Sequence, residues 1–178
     1  MTEILWHGRG GQGAFTAARL LGAAFALKGN DSYALAFPSF GPERRGAPIR
    51  AFTKLDTKPI GNRSEVEKAD YSIFLDDTLF SENAFGELKP DGKILLNTKH
   101  TVSDDRVITL NGDKLAAEIL KLPITNTIML GVFAAVFDGI SLESIEEAIQ
   151  QNMPEKLHQK NIAVIRAAAE AIGKEAGR

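Results

Sequence analysis

The chain of 178 residues contains no cysteine. It can therefore form no disulfide, and it lacks the thiolates that normally hold an iron–sulfur cluster. Its three histidines, His7, His100 and His158, show no metal-ligand spacing to one another or to carboxylates. The sequence predicts no metal site on this chain.

Long apolar stretches and a strong excess of one charge are also missing. No apolar segment reaches the length of a membrane span, and the first residues lack the pattern of a signal peptide. The formal net charge is -2 and 44% of the residues are hydrophobic, so the global basicity typical of nucleic-acid-binding proteins is absent. We expect a cytoplasmic protein that binds neither nucleic acid nor membrane.

No linker rich in proline, glycine or serine divides the sequence, which favours one domain over residues 1–178. Strand-like segments alternate with helical ones, and the last third is helical, with an apolar helix predicted over residues 127–137 and later helices starting at Ser141 and Pro154. We predict a three-layer α/β/α fold with a mostly parallel sheet. Residues 49–55 and 60–63 are predicted to form a hairpin at the sheet edge.

The first unusual motif is GRGGQG at residues 8–13, which lies between a predicted strand and an alanine-rich helical run. This order points the unpaired amides of a helix N-terminus at whatever lies above it, and an anion is the natural occupant. Arg9 and Gln12 make this loop more polar than one that needs only its backbone to approach a pyrophosphate, which favours a different anionic ligand or a partner surface; a plain tight turn remains an alternative. The candidate binding residues here are Gly8, Arg9, Gly10, Gly11, Gln12 and Gly13.

The same glycines also fit the G-x-G-x-x-G pattern of dinucleotide sites. Such a site needs an acidic residue near the end of the second strand, where it binds the ribose hydroxyls. Here the second strand ends in Pro38-Ser39-Phe40, and Asp31 precedes it. A stand-alone reductase or regulator that binds NAD(P) or FAD is therefore the alternative rather than the preferred interpretation.

The second unusual motif is FPSFGPERRGAPIR at residues 37–50. Three prolines stiffen this loop, and a stiff loop usually presents its side chains to a ligand or partner. Guanidinium groups suit carboxylate, phosphate or diphosphate partners, so Arg44 and Arg45 are candidate binding residues. Ser39, which the same loop presents, is a third. The alternative is a solvated turn in which Glu43 pairs with the arginines. Because the two loops flank the first two strands, we expect both at one edge of the sheet.

The remaining chemistry is sparse. His7 ends the first strand, where it could orient a ligand or, more commonly, bond the backbone. Asp76 and Asp77 follow a strand at a position where α/β proteins often bind ligands, but they could equally cap the next helix. No arrangement of nucleophile, base and acid can be argued from spacing, so no catalytic residue is predicted.

Together these motifs carry a family resemblance. The segments WHGRGGQG at 6–13, FPSFGPERRG at 37–46 and RAF at 50–52 closely resemble the gamma subunit of pyruvate:ferredoxin oxidoreductase, in the 2-oxoacid:acceptor oxidoreductase family. The likeness continues through DYSIFLD at 70–76, NTIMLG at 126–131 and Lys160-Asn161. It therefore covers nearly the whole chain.

The resemblance implies an auxiliary subunit of a larger enzyme, with alpha-, beta- and delta-type partner subunits. That enzyme oxidatively decarboxylates a 2-oxoacid, pyruvate by preference, with coenzyme A, and passes electrons through thiamine diphosphate and iron–sulfur clusters to ferredoxin. This sequence lacks the thiamine diphosphate and magnesium motif as well as cysteine, so the resemblance assigns these cofactors to the partners. The two loops would face coenzyme A phosphates or a partner's carboxylates; a purely architectural subunit is a third possibility.

Overall fold

In a computed structural model that describes residues 1–39 and 45–176, with side chains through residue 173, six strands form one sheet. The strand order is β2-β3-β1-β4-β5-β6. The strands are β1 (Thr2–Arg9), β2 (Tyr33–Pro38), β3 (Pro48–Asp56), β4 (Ala69–Phe74), β5 (Leu88–Asn97) and β6 (Val107–Leu110).

Only β3 runs against the direction of the others. It pairs antiparallel with both β2 and β1, whereas β1, β4, β5 and β6 pair in parallel. The prediction of a mostly parallel sheet is therefore confirmed, but the predicted edge hairpin is wrong. Strand β3 lies inside the sheet with Phe52 buried on one face and Leu55 on the other, and residues 60–63 form no strand.

One face of the sheet is covered by all the regular helices of the described chain. These are α1 (Ala14–Ala26), α2 (Gly112–Leu115), α3 (Asn126–Val136), α4 (Leu142–Asn152) and α5 (Glu155–Ala176). Helix α3 is apolar around its circumference because it is enclosed by the main core, where Met129 and Phe133 are fully buried. Ser141 caps α4 by accepting a hydrogen bond from the Ser144 amide, as predicted.

The opposite face has a thinner cover. Two 3-10 turns, Asp77–Leu79 and Glu82–Glu87, pack there on a small cluster that includes Phe74 and Leu96. The three-layer α/β/α prediction is confirmed, with its helical C-terminal part, and these two 3-10 turns make the third layer. Among the residues described, no helix is both long and apolar enough to cross a membrane.

Candidate functional site at the carboxyl edge of the sheet

The glycine loop and the arginine loop lie side by side at the carboxyl edge of the sheet. Gly10 donates its amide to the Ala47 carbonyl at 2.9 Å and accepts from the Gly46 amide at 3.0 Å. Gly10 and Arg45 also form an isolated parallel bridge. The expectation that both loops share one sheet edge is confirmed, and the backbone itself joins them.

Two of the loop glycines have a steric reason to be glycine. Gly11 has φ of 96° and Gly13 has φ of 81°, a region that side chains rarely adopt. A Cβ atom on Gly13 would also lie 2.5 Å from Nδ2 of Asn126, which donates to the Gly13 carbonyl at 3.2 Å. Gly13 thus lets the loop approach the start of α3 closely.

Arg9 ties the glycine loop to both neighbouring loops. Its Nε donates to Asp76 Oδ2 at 3.1 Å, its Nη1 donates to the Gly46 carbonyl at 3.1 Å, and its Nη2 donates to Thr78 Oγ1 at 2.8 Å. Each guanidinium nitrogen therefore has an acceptor within the chain. Arg9 therefore links the glycine loop to Gly46 on one side and to Asp76 and Thr78 on the other.

Gln12 and Asp76 complete the hydrogen-bond network around Arg9. The Gln12 side chain accepts from the Arg9 amide at 2.7 Å and donates to Asp76 Oδ2 at 3.0 Å. Asp76 also accepts from the Thr78 amide at 3.0 Å, which confirms the capping role that the sequence offers as one of two alternatives. Burial opposes ionisation of Asp76, but hydrogen bonds from Thr78 and Gln12 and the charge of Arg9 outweigh it and hold the pKa below its ordinary value.

Arg45 is the candidate cation that takes no part in this network and faces solvent. Its side chain is exposed next to Gly11, and among the described residues it has no ion-pair or hydrogen-bond partner. Ser39 is half-buried, and its amide donates to the Arg50 carbonyl at 2.9 Å. Arg44 and Glu43 lie outside the described residues. Gly11 and Arg45 are therefore neighbouring exposed residues on this edge.

A polar cavity of about 560 Å³ opens next to this edge, on the thinly covered face. His7 contributes to it, stacked on Phe74 with ring centroids 4.1 Å apart. His7 Nε2 lies 3.0 Å from Glu87 Oε2, at ion-pair distance but without a well-directed hydrogen bond. The predicted backbone-bonded histidine is wrong, since a carboxylate faces the ring. The cavity is lined by His7, Ser39, Pro48, Ile49, Arg50, Glu65, Leu79 and Glu87.

Glu87 was not identifiable from the sequence. It lies 80 positions after His7 at the end of a 3-10 turn, and no local pattern links the two residues. The contact with His7 lowers the pKa of Glu87, burial opposes this, and the charges of His7, Arg50 and Lys68 add to the lowering. Long-range strand order alone brings these groups together.

The geometry does not fit a dinucleotide site. Strand β3 separates β1 from β2, so the end of β2 lies two strand spacings, about 10 Å, from the glycine loop. The position where a ribose-binding carboxylate would stand holds Ser39. Within residues 1–39 and 45–173, no group of three or more histidine, aspartate or glutamate side chains is arranged to hold a metal ion.

Fold and site together define a class of protein: a mixed α/β domain whose glycine loop is bonded to a neighbouring arginine loop. This edge is the candidate contact surface of the chain.

Comparison with known proteins identifies the family. The family model for pyruvate ferredoxin/flavodoxin oxidoreductase matches residues 3–171. Pyruvate synthase subunit PorC of Methanothermobacter marburgensis is 43% identical over 173 residues, 96% of this chain and 97% of that protein. The pyruvate/ketoisovalerate oxidoreductases common subunit gamma of Pyrococcus furiosus is 39% identical, covering 96% of each chain.

A solved structure agrees with these relatives. The pyruvate oxidoreductase subunit PORC of Thermotoga maritima matches with a TM-score of 0.82 and 32% identity, covering 95% of each chain. The chain therefore belongs to the pyruvate ferredoxin/flavodoxin oxidoreductase family and is a gamma-type subunit of a 2-oxoacid:ferredoxin oxidoreductase.

Proposed function

We propose that this chain, folded as one domain, serves its oxidoreductase as an auxiliary subunit that docks through the carboxyl edge of its sheet. The complete enzyme converts a 2-oxoacid, coenzyme A and oxidised ferredoxin into acyl-coenzyme A, carbon dioxide and reduced ferredoxin. Thiamine diphosphate, magnesium and iron–sulfur clusters would reside on partner subunits, because this chain lacks cysteine and the thiamine motif. The cytoplasm is its proposed location.

The pairing of the glycine and arginine loops is the observation that carries this proposal. Both hydrogen bonds of Gly10 and one from Arg9 Nη1 join the two loops, and Arg9 Nε and Nη2 fasten the glycine loop to Asp76 and Thr78. A preorganised edge loses little conformational freedom when a partner or ligand binds it. The stability of the fold does not by itself account for an exposed Arg45 on this edge.

The proposed role of Arg45 is to receive an anion when the complex assembles. Gly11 next to it has no Cβ, so a ligand or a neighbouring backbone can approach closely. The anion is either a carboxylate of a neighbouring subunit or a phosphate of coenzyme A, and a guanidinium binds both well. Ser39, Arg44 and the amides of residues 10–13 are proposed to belong to the same surface.

Pyruvate is the proposed 2-oxoacid. One relative carries the name of a pyruvate synthase subunit, and another that of a common subunit of pyruvate and ketoisovalerate oxidoreductases. A subunit shared by two enzymes cannot by itself select between their substrates. We therefore propose that partner subunits set the substrate preference.

The test is to tag this chain in its native host and purify it anaerobically in wild-type and Arg45→Ala forms. Co-purifying subunits would be identified by mass spectrometry, and viologen reduction assayed with pyruvate and other 2-oxoacids. A raised Michaelis constant for coenzyme A in an intact variant complex would indicate the phosphate, whereas lost subunits would indicate the carboxylate. A variant with normal assembly and kinetics would contradict both.

A further inference from the structure

A second surface of the described chain is built to present apolar side chains outward. Leu122, Pro123 and Ile124, here called the Leu122 knob, connect the π-helical turn Ala116–Leu120 to α3. Leu122 is 52% exposed and Ile124 is 37% exposed, which places them among the large apolar side chains most open to solvent. Exposed apolar side chains grouped in this way mark interaction surfaces more often than isolated ones do.

The backbone holds this knob in a fixed shape. Lys121, directly before it, has φ of 59°, the only positive φ outside glycine among the described residues. The Ile124 amide donates to the Leu122 carbonyl at 2.9 Å, and Pro123 between them has a fixed φ. Lys121 is the C-cap of the π-helical turn, and its left-handed backbone costs free energy in a residue other than glycine; such residues and π-helical turns are frequent at functional sites.

Leu122 forms the ridge between two cavities. A cavity of about 430 Å³ lies on one side of it, next to Ala117 and Lys121. A cavity of about 260 Å³ lies on the other, and its apolar lining consists of Leu120, Leu122, Ile124, Met153 and Leu157. A ridge between two cavities suits a surface with a complementary groove and apolar side chains on either side of it.

Unpaired positive charge surrounds the knob. Lys121 borders the first cavity, and Lys156 and Lys160 border the second. Across the described side chains, none of these three ammonium groups has an ion-pair or hydrogen-bond partner. Lys156 and Lys160 are one turn apart on α5, where like charges destabilise a helix slightly. Asp113 also lines the first cavity, where its carboxylate accepts a hydrogen bond from the Asn97 side-chain amide at 3.3 Å.

We infer that the Leu122 knob docks into another subunit of the same oxidoreductase, at a groove with apolar walls and a rim of carboxylates. The inference rests on the proposed function and extends it to a second contact. The acidic rim follows from charge complementarity to the three lysines around the knob. The knob adjoins the docking edge proposed above, which supports a partner in the same complex. Asn126 follows the knob by two residues, and its side chain bonds the Gly13 carbonyl of that edge.

The experiment uses the assembled complex, captured through a tag on this chain. One variant is Leu122→Asp and the other combines Lys156→Glu with Lys160→Glu. The matched controls lie at the opposite edge of the sheet: Leu27→Asp, whose parent side chain is 37% exposed like Ile124, and Lys58→Glu. Partner retention is measured as a function of salt, and circular dichroism of each isolated chain checks its fold.

We expect Leu122→Asp to reduce partner affinity by roughly tenfold or more, as loss of a central apolar contact does. The double charge reversal should weaken retention most at low salt, and both controls should retain the wild-type affinity. The inference is overturned if the wild-type complex forms and both variants retain it equally. It is also overturned if the variants raise the Michaelis constant for coenzyme A in an intact complex, or only abolish self-association of the isolated chain.

Failure of the proposed function has a different signature. In that case the wild-type tagged chain brings down no oxidoreductase subunit at any salt concentration, and the knob loses its partner as well. A wild-type complex that forms, together with variants that do not lose it, rejects the knob alone.

Discussion

The two ends of β1 carry two charge networks that serve different purposes. At the carboxyl end, Arg9 joins loops through Asp76 and Thr78. At the amino end, Glu3 joins strands: its carboxylate lies 3.4 Å from Lys54 Nζ and 3.1 Å from Lys89 Nζ. One network shapes an exposed edge, and the other lies within the sheet.

The amino-end network is the more buried of the two. Lys54 is fully buried, and Lys89 also contacts Asp70, whose carboxylate accepts from the Glu3 amide at 2.7 Å. Burial opposes protonation of Lys89, but Asp70 and Glu3 outweigh it and raise the pKa of Lys89. The amino end of β1 therefore carries a network that joins strands around a buried lysine, whereas the carboxyl end carries a network that fixes the shape of an exposed edge.

The largest effect on stability is expected from Lys54→Ala. Removing this ammonium leaves a cavity and a carboxylate with one partner fewer, so the free energy of unfolding should fall by about 3 kcal/mol. Chemical denaturation measures the change. The matched variant Lys54→Met keeps most of the volume and should cost less than half as much; equal losses would contradict the volume part of this explanation.

Gly13→Ala should have the next largest effect. The new side chain would combine a φ of 81° with a 2.5 Å approach to Asn126 Nδ2, and we expect a loss of about 2 kcal/mol in the free energy of unfolding. The control is Gly61→Ala, where an added Cβ meets no atom within 4 Å. A Gly13 variant as stable as this control would show that the loop relaxes freely.

Asp76→Asn tests the carboxyl-end network through pH. The folded-state pKa of Asp76 lies below its ordinary value, so ionised Asp76 stabilises the fold above about pH 4, and this contribution disappears as the pH falls through the lowered pKa. At pH 7 we expect the variant to lose about 1 kcal/mol. Parallel denaturation from pH 7 to pH 2 should show the gap between variant and wild type closing on the acid side; a constant gap would mean that the charge plays no part.

Arg45→Ala should have the smallest effect on stability. Its side chain is exposed and makes no charged contact within the described chain, so the free energy of unfolding of the isolated subunit should change by less than about 0.5 kcal/mol. Thermal denaturation checks this next to Arg9→Ala, which breaks three hydrogen bonds and should be less stable. If both variants were equally destabilised, the assignment of Arg9 to structure and Arg45 to binding would fail.

Local patterns in the sequence determined much of this protein. The alternating strands and helices, the buried circumference of α3, the Ser141 cap and the two loop motifs with their family resemblance can all be identified from neighbouring residues. Each depends on periodicity, capping or composition over a few positions, where the physical causes are short-ranged.

Only the tertiary structure decided the contacts between distant segments. The sequence predicts a strand over residues 49–55, but not that it lies between β1 and β2. The same limit hid the His7–Glu87 contact and the capture of Arg9 by Asp76, whose partners are 80 and 67 positions apart. Strand order and loop docking depend on free energies summed over the whole fold, so a residue type in the sequence indicates a possible role and its neighbours in space determine which role it has.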